Sequence, residues 1–530
     1  MKMRNIYILS IITFLFCYSC TDLDVPVHDE LIAENYYANF SEDDIPAAIG
    51  KVYSDLRNLY AGGSVHKNGC WLYTNEEVGD LWITPKRGGA WYDAGIYVRL
   101  NNHEWNIDEQ HFLQDWRRAY SSINNCNRLI YEFREQELKD TAMVMAELKV
   151  ARAFWYYTLV DMFGNVPVVT QYDVPDDYLP ATNSREEVFN FVVSQLEENI
   201  PYLKEDGYGR WNKYSASQLL AKTYLNAEVW AGKTYWDEVI ALCDTIIESQ
   251  KYVLEADYST PFKSENENSK EIIMGIANDE VYHEDFPWRM HMWTMHWWYK
   301  YHANTETFYW GGPCATPDLA WSYDPDDLRY TKSWLEGPLY DNTGEKTGTI
   351  GAPLLCDGSW AADAGKPIVH TKNIRSLGSD GRTTGEADGV RMQKYEIKTG
   401  AKNRLENDFV LFRYADVFFM KAEAIYRKNG KAANQEVVDL INKVRQRAFT
   451  DFSGNNVLTA AQLNDNRFLL EYAWEFCQEG HRRQQLIRFG QFTTKRWFWH
   501  TPSNEDYRNL FPIPRDEILA NPNLIQNPGY

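Results

Sequence analysis

Apolar side chains recur at helical spacing over four stretches of this chain. In the first, Ser41 to Tyr60, the opening Ser-Glu-Asp-Asp supplies the cap and the acidic first turn that start a helix. Asp108 to Phe163 predicts two long helices separated near Lys139-Asp140, and Gly164-Asn165-Val166-Pro167 ends the second. Ser215 to Ser249 is the clearest unit. Ala216, Leu219, Leu220, Thr223 and Tyr224 make one stripe, Ala231-Gly232-Lys233 turns the chain, and Tyr235, Val239, Leu242, Ile246 and Ile247 make the returning stripe. Tyr414 to Arg447 repeats this arrangement about Asn429-Gly430-Lys431. Helix pairs of about 34 residues, with apolar faces that need neighbours, are the signature of a tetratricopeptide-like stack. The expected fold is mainly α, a helix-turn-helix repeat scaffold with helices near residues 108–163, 215–249 and 408–447.

Between these blocks the period is lost. Residues 62–106 and 255–400 are rich in Gly, Pro, Asp and aromatics, and predict a long loop-rich face; long loops in a compact protein are usually functional. Ser376 to Gly389 is Gly- and charge-rich and reads as a flexible loop. Aromatics make up 15% of the chain, with 20 Trp and 35 Tyr, and two clusters of them fall in these loops. The first is Trp71, Tyr73, Trp82, Trp91, Tyr92, Tyr97 and Trp105, among charged residues that include Lys86, Arg87, Asp93 and Arg99. The second places nine aromatics in the 23 residues from Trp288 to Trp310. Within it Trp293, Trp297 and Tyr301 fall at i, i+4 and i+8, the spacing of a helical core stripe, and packing accounts for over half of these rings. One short segment cannot bury all its faces, so the rest are expected at the surface, where aromatic patches mark binding sites. A Trp ring stacks on the apolar C–H face of a sugar, while Asp, Asn or Arg bonds the hydroxyls, and Trp and Tyr lose few rotors in doing so.

The N-terminus gives an address. Lys2 and Arg4 precede an apolar run from Ile6 to Phe16, too short to span a membrane but suited to a signal peptide over residues 1–19. Cys17-Tyr18-Ser19-Cys20 is similar to a bacterial lipobox, with Cys20 the lipidated residue and Cys17 where an aliphatic residue is usual. Residues 20–40 then read as an acidic tether, and 41–530 as a single domain. Removing Lys2 and Arg4 takes the net charge from −21 to −23, which argues against nucleic acid as a partner. It also favours a neutral glycan over a polyanionic one, subject to the local Lys and Arg. Cys70, Cys126, Cys243, Cys314, Cys356 and Cys477 are scattered without a C-x-x-C and read as buried thiols.

Catalytic signatures are missing from the sequence: no G-x-S-x-G, P-loop, dinucleotide glycine pattern or H-E-x-x-H occurs. His291, His296 and His302 lack metal-ligand spacing on a helix. Asp324-Pro325-Asp326-Asp327 admits structural calcium, but a capped turn is the favoured reading. Glu76-Glu77 is a carboxylate pair of the kind glycosidases use, though it carries little information in a chain with 75 acidic residues. Neither a cofactor nor an enzyme activity is expected.

Five segments in order carry a family resemblance. They are Cys20-Thr21-Asp22-Leu23-Asp24-Val25-Pro26; Glu147 to Val169, ELKVARAFWYYTLVDMFGNVPVV; Phe412 to Ala424, FRYADVFFMKAEA; Glu471 to Gly490, EYAWEFCQEGHRRQQLIRFG; and Leu510 to Tyr530, LFPIPRDEILANPNLIQNPGY. The chain resembles the SusD/RagB family of outer-membrane glycan-binding lipoproteins, with the C-terminal motifs over 460–530. Gln485-Leu486 stands where the family usually has Asp-Leu. The resemblance implies a TPR-like scaffold, lipid anchoring at Cys20 in the outer membrane with exposure on the cell surface, and a SusC-like TonB-dependent transporter as partner. It implies binding of oligosaccharide or polysaccharide without cleavage. Arg413, Asp416, Glu479 and Arg482 lie in the matched motifs and read as buried ion pairs between helices. In relatives the segment Pro85 to Asp93 contributes to the glycan site and a mid-chain loop completes an aromatic arc. The expected stacking residues are therefore Trp82, Trp91, Trp293, Trp297 and Trp298, with Arg87 and Asp93 bonding hydroxyls. Non-glycan cargo such as peptide, delivered through the same lid or adaptor role, and a glycoside hydrolase are the alternatives.

Overall fold

Capping side chains set where the helices begin. In the computed structural model, Ser184 and Glu187 close a capping box on the helix Arg185–Asn199. Asn212, Asn434 and Asn464 each accept backbone N–H bonds at the start of Lys213–Leu225, Gln435–Arg445 and Asp465–Phe476. A left-handed glycine follows the end of another helix. Gly164, at φ +69°, follows the helix Thr141–Met162 and lies so close to Leu510 that a Cβ would come within 2.7 Å of its side chain. The structure describes residues 44–60, 69–88, 90–135, 141–279, 288–358, 363–378 and 384–530. The signal peptide, Cys20 and the tether expected from the sequence lie outside these residues. Residues 49–530 form one compact unit; of the other, residues 1–48, only 44–48 are described.

Six helices make the repeat stack: α1 (Gln110–Glu135), α2 (Thr141–Met162), α3 (Arg185–Asn199), α4 (Lys213–Leu225), α5 (Trp236–Glu248) and α6 (Tyr414–Lys428). Each packs on the next in that order, and α7 (Gln435–Arg445) packs on α6. The chain turns between α4 and α5 at Gly232 and between α6 and α7 around Gly430, as the sequence predicts. This is the stacking of helix hairpins expected of a TPR-like fold. No described helix is long and apolar enough to cross a membrane.

Strands are short and join the loop-rich part to the stack. Ile272–Ile276 pairs antiparallel with Phe409–Arg413, and all ten residues are buried. Trp82–Ile83 pairs with Cys314–Ala315, and Trp334–Leu335 with Arg391–Met392. The expected stripe of Trp293, Trp297 and Tyr301 does not form one helix. Two short helices, Met290–Thr294 and Tyr299–Ala303, are separated by an extended Met295. The break leaves Trp297 half-buried while Trp293 goes into the core.

A buried charge cluster locks the stack to the loops. The Arg413 guanidinium donates to Glu479 at 2.7 Å, Glu475 at 2.8 Å and Glu271 at 2.9 Å. Arg447 shares Glu271 and Glu475, Arg329 reaches Glu475 at 3.3 Å, and Lys394 reaches Glu479 at 2.6 Å. Asp416 pairs with Lys222 and Arg482 with Asp80, each at 2.5 Å. The ion pairs read from the sequence motifs are thus present. Burial by itself raises the Glu475 carboxyl, but Arg447, Arg413 and Arg329 outweigh it and hold the group well below the usual carboxylate range. The six described cysteines are free and buried. Asp327 caps the helix Leu328–Ser333 and bonds Arg329, which is the capped-turn reading of its acidic run.

Arg413→Met leaves three buried carboxylates short of a cation and should destabilise the protein by about 3–5 kcal/mol. Guanidinium unfolding checks it; an unchanged midpoint contradicts the role given to the cluster. The lowered Glu475 also contributes stability above its unfolded value that is lost on acidification, so the wild type should weaken toward low pH more steeply than the variant.

Candidate functional site

The sharpest local conflict with backbone preference falls in the first aromatic loop. Trp91, Asp93 and Ala94 have φ of +58°, +42° and +57°, and Gly95 continues at +82°. Non-glycine residues rarely adopt such angles, and a run of them persists only where the surroundings over-determine it. Here the surroundings are specific. The Trp91 indole N–H donates to the Trp310 carbonyl at 2.7 Å, and its ring lies flat on Gly312, where a Cβ would come within 2.3 Å. Tyr97 packs 5.6 Å from Trp91 and donates its hydroxyl to Asp93 at 3.0 Å. Arg99 donates to the Ala94 carbonyl at 2.5 Å.

Under this loop lie two buried arginines that meet on one acceptor. Arg87 donates to the Gly312 carbonyl at 3.2 Å, to Gly385 at 2.8 Å and to Asp388 at 2.9 Å. Arg391 donates to the same Gly312 carbonyl at 3.1 Å and to Glu386 at 2.8 Å. Burial lowers both guanidinium pKa values. His296 lies 3.4 Å from the buried Glu386 carboxylate, and burial with the nearby Arg391 keeps its imidazole neutral. Glu386 also accepts the Asp357 and Gly358 backbone N–H groups, at 3.3 Å each. Residues 384–389 are therefore structural floor. The flexible-loop expectation for Ser376 to Gly389 fails there because its carbonyls and carboxylates are bonded to buried donors; residues 379–383 lie outside the description.

On top of this floor the aromatics divide. Trp82, Trp91 and Trp293 are buried, Trp293 against Tyr73 at 5.7 Å and Trp288 at 6.4 Å. Arg87 is wholly buried and spends its donors on carbonyls. These four expected ligand residues brace the site and offer no surface to a solute. Trp297 and Trp298 are half-buried, and Asp93 is exposed. The Trp297 ring stacks on His296 at 4.0 Å, borders Gly311, and donates its indole N–H to the exposed Asp357 at 3.1 Å. Trp298 lies under the Lys346 ammonium at 3.7 Å. Trp310 is half-buried beside the same Gly311, and Tyr92 is exposed under the Lys86 ammonium at 4.7 Å. Trp297, Trp298, Trp310 and Tyr92, with Gly311 among them and Asp357, Asp93 and Lys86 around them, combine aromatic surface with hydrogen-bonding groups, an arrangement that suits a hydroxyl-rich solute.

Sequence reasoning missed Arg391, Glu386, Asp357 and Gly312. Their partners lie up to 225 residues away in the chain, so no local pattern marks them. The Trp310-Gly311-Gly312 run was the available signal, since a glycine pair after an aromatic permits close ring approach.

Two measurements check this assembly. Gly312→Ala drives a Cβ into the Trp91 ring and should cost about 1–3 kcal/mol, with a changed near-UV dichroism of the indoles; an unaltered spectrum contradicts the packing described. Glu77, which accepts the Thr84 N–H at 2.9 Å just before the loop, is raised by burial from 4.5 to about 8. A raised carboxylate stabilises the fold while protonated in it, so its contribution is full below the unfolded value and lost as pH rises through about 8. Glu77→Gln mimics the protonated form and should flatten the fall in melting temperature between acid and mildly alkaline pH; parallel profiles contradict this.

Comparison with known proteins covers most of the chain. Residues 177–530 match the SusD family model, and residues 90–220 match a second model described as starch-binding associating with outer membrane. A starch-binding protein SusD of Bacteroides thetaiotaomicron is 25% identical over 491 residues, covering 83% of this chain and 82% of the relative. A solved laminarin-binding SusD-like protein superposes with a TM-score of 0.69 at 19% identity, over 92% of this chain and 100% of the other. The surface glycan-binding protein A of Bacteroides thetaiotaomicron, solved with laminarihexaose, gives 0.68 at 19% identity with the same coverage. The chain belongs to the SusD family.

Proposed function

We propose that this protein is a cell-surface lipoprotein that binds a neutral oligosaccharide or polysaccharide and delivers it, uncleaved, to a SusC-like TonB-dependent transporter in the outer membrane. Cys20 carries the lipid anchor. The observation that carries the reading is a pair of half-buried indoles, Trp297 against Gly311 and Trp310 next to that glycine in the chain, over a floor fixed by Arg87 and Arg391. Pyranose rings stack on these indoles, with Trp298 extending the surface. Asp357, Asp93 and Lys86 bond hydroxyls at its edge. Because the rings are already held, binding a sugar orders little. The relatives named for starch and laminarin support the ligand class. The binding reading is preferred to a hydrolase because the relatives are named as binding proteins, and because Glu76 and Glu77 are wholly buried, bonded to Gly480 and Thr84.

Affinity gel electrophoresis against a panel of neutral polysaccharides tests this, with reducing-sugar release measured alongside. The wild type should be retarded by at least one polymer and release no sugar. Trp297→Ala should weaken that binding about tenfold, or ~1.4 kcal/mol, at an unchanged melting temperature. Full affinity in the variant would remove Trp297 from the site, and sugar release would establish an enzyme.

A further inference from the structure

A second pair of indoles stands at the surface on different elements. Trp321, near the end of the helix Pro317–Ser322, is 62% exposed, and Trp499 is 38% exposed. Trp321 is held by its contacts. The Trp321 indole N–H donates to Asn373 at 3.1 Å, and the Lys372 ammonium sits 4.7 Å over one face of its ring while also lying 4.3 Å over Tyr330. Asn373 is itself fixed, because its carbonyl accepts from Gly389 at 3.2 Å. The other face of Trp321 opens to solvent. Trp499 has φ +63°, an angle unusual for a bulky aromatic. Its neighbour Phe498 donates its backbone N–H to Asp318 at 2.7 Å, one turn before Trp321 on the same helix. The Phe498 ring packs on Ile83, Cys314, Ile374 and Leu377.

That apolar cluster connects this place to the site already described. Ile83 precedes the Thr84 to Trp91 loop, Cys314 follows Gly312, and Leu377 accepts the Lys86 backbone N–H at 2.9 Å. Ile374 follows Asn373, which clamps Trp321. A single rigid seam therefore carries both aromatic surfaces.

From this geometry we propose a second carbohydrate subsite, in which a pyranose unit stacks on the open face of Trp321, with Trp499 on the adjoining segment that Asp318 ties to the same helix. This rests on the glycan-binding reading above and extends it to polymers. The chemistry is that of a sugar and not of an apolar partner, because the exposed ring is ringed by donors. The Asn373 side-chain amide keeps N–H groups beyond its accepted indole bond. Among the described residues the Lys372 ammonium pairs with no carboxylate, so it can donate to a ring hydroxyl. Two clamped platforms on one seam favour a chain long enough to touch both, through effective concentration and without a tighter primary site.

The experiment uses the full chain in detergent, with starch, laminarin, xylan, mannan and galactan, and the hexasaccharide of whichever polymer the wild type binds. Wild type, the double variant Trp321→Ala with Trp499→Ala, Trp321→Phe, and the double variant Trp297→Ala with Trp310→Ala are compared by affinity electrophoresis and calorimetry. Loss of the second platform should weaken polymer binding about tenfold, leave the primary hexasaccharide affinity and melting temperature unchanged, and be partly rescued by Trp321→Phe. Polymer affinity equal to wild type in that variant overturns the subsite. A wild type that binds none of the polymers overturns the glycan reading and the subsite with it. Polymer binding that survives loss of Trp297 and Trp310 but not of Trp321 and Trp499 supports the subsite and contradicts the primary placement.

Discussion

Two buried guanidinium groups share the carbonyl oxygen of Gly312, and the geometry of the loop-rich face follows from that. Arg87 and Arg391 lie more than 300 residues apart in the chain, yet both converge there and on the carbonyls of residues 385–388. A buried cation is costly unless its donors are satisfied. Satisfying them with backbone carbonyls from two other segments forces those segments into one place. The like charges of Arg87 and Arg391 are kept together by this shared acceptor shell, with Asp388 nearby to offset the repulsion. The strained Trp91 to Gly95 run is held against this fixed floor, and the half-buried indoles inherit its rigidity.

The helical stack supplies the other half of the constraint. Its hairpins need one another to bury their apolar faces, but they do not determine where the loops go. Glu271, Arg413, Arg447, Glu475 and Glu479 do that, because they come from a strand, the loop that follows α7, and the C-terminal helix region, and cannot be satisfied singly. Here a buried ionic cluster acts as a register device: hydrophobic packing sets the stack, and charge complementarity sets which loop segment docks on it.

The sequence made the stack legible and the site only in outline. The turns at Gly232 and Gly430 follow from local period, since helices write their contacts at i+3 and i+4, and the matched motifs marked Arg413, Asp416, Glu479 and Arg482 as buried ion-pair residues without naming the distant partners Lys222 and Asp80. Loops leave no such record. Trp293 and Trp297 look equivalent by spacing, but an extended residue at Met295 sends one inward and leaves the other at the surface. Arg87 among glycines and aromatics resembles a ligand-binding residue, yet its donors are taken by carbonyls that lie 225 to 301 residues away. Aromatic density drew attention to two loops. It did not tell which ring faces solvent, because that is decided by long-range hydrogen bonds.

A crystal structure with a bound oligosaccharide tests the central claim most directly, that an arginine-braced floor presents Trp297 and Trp310 ready-made to a sugar. A pyranose should stack on those indoles, with Asp357 at its edge and with the Arg87 and Arg391 bonds to Gly312 unchanged from the free protein. Sugar bound elsewhere, or bound there only after the floor rearranges, would contradict it.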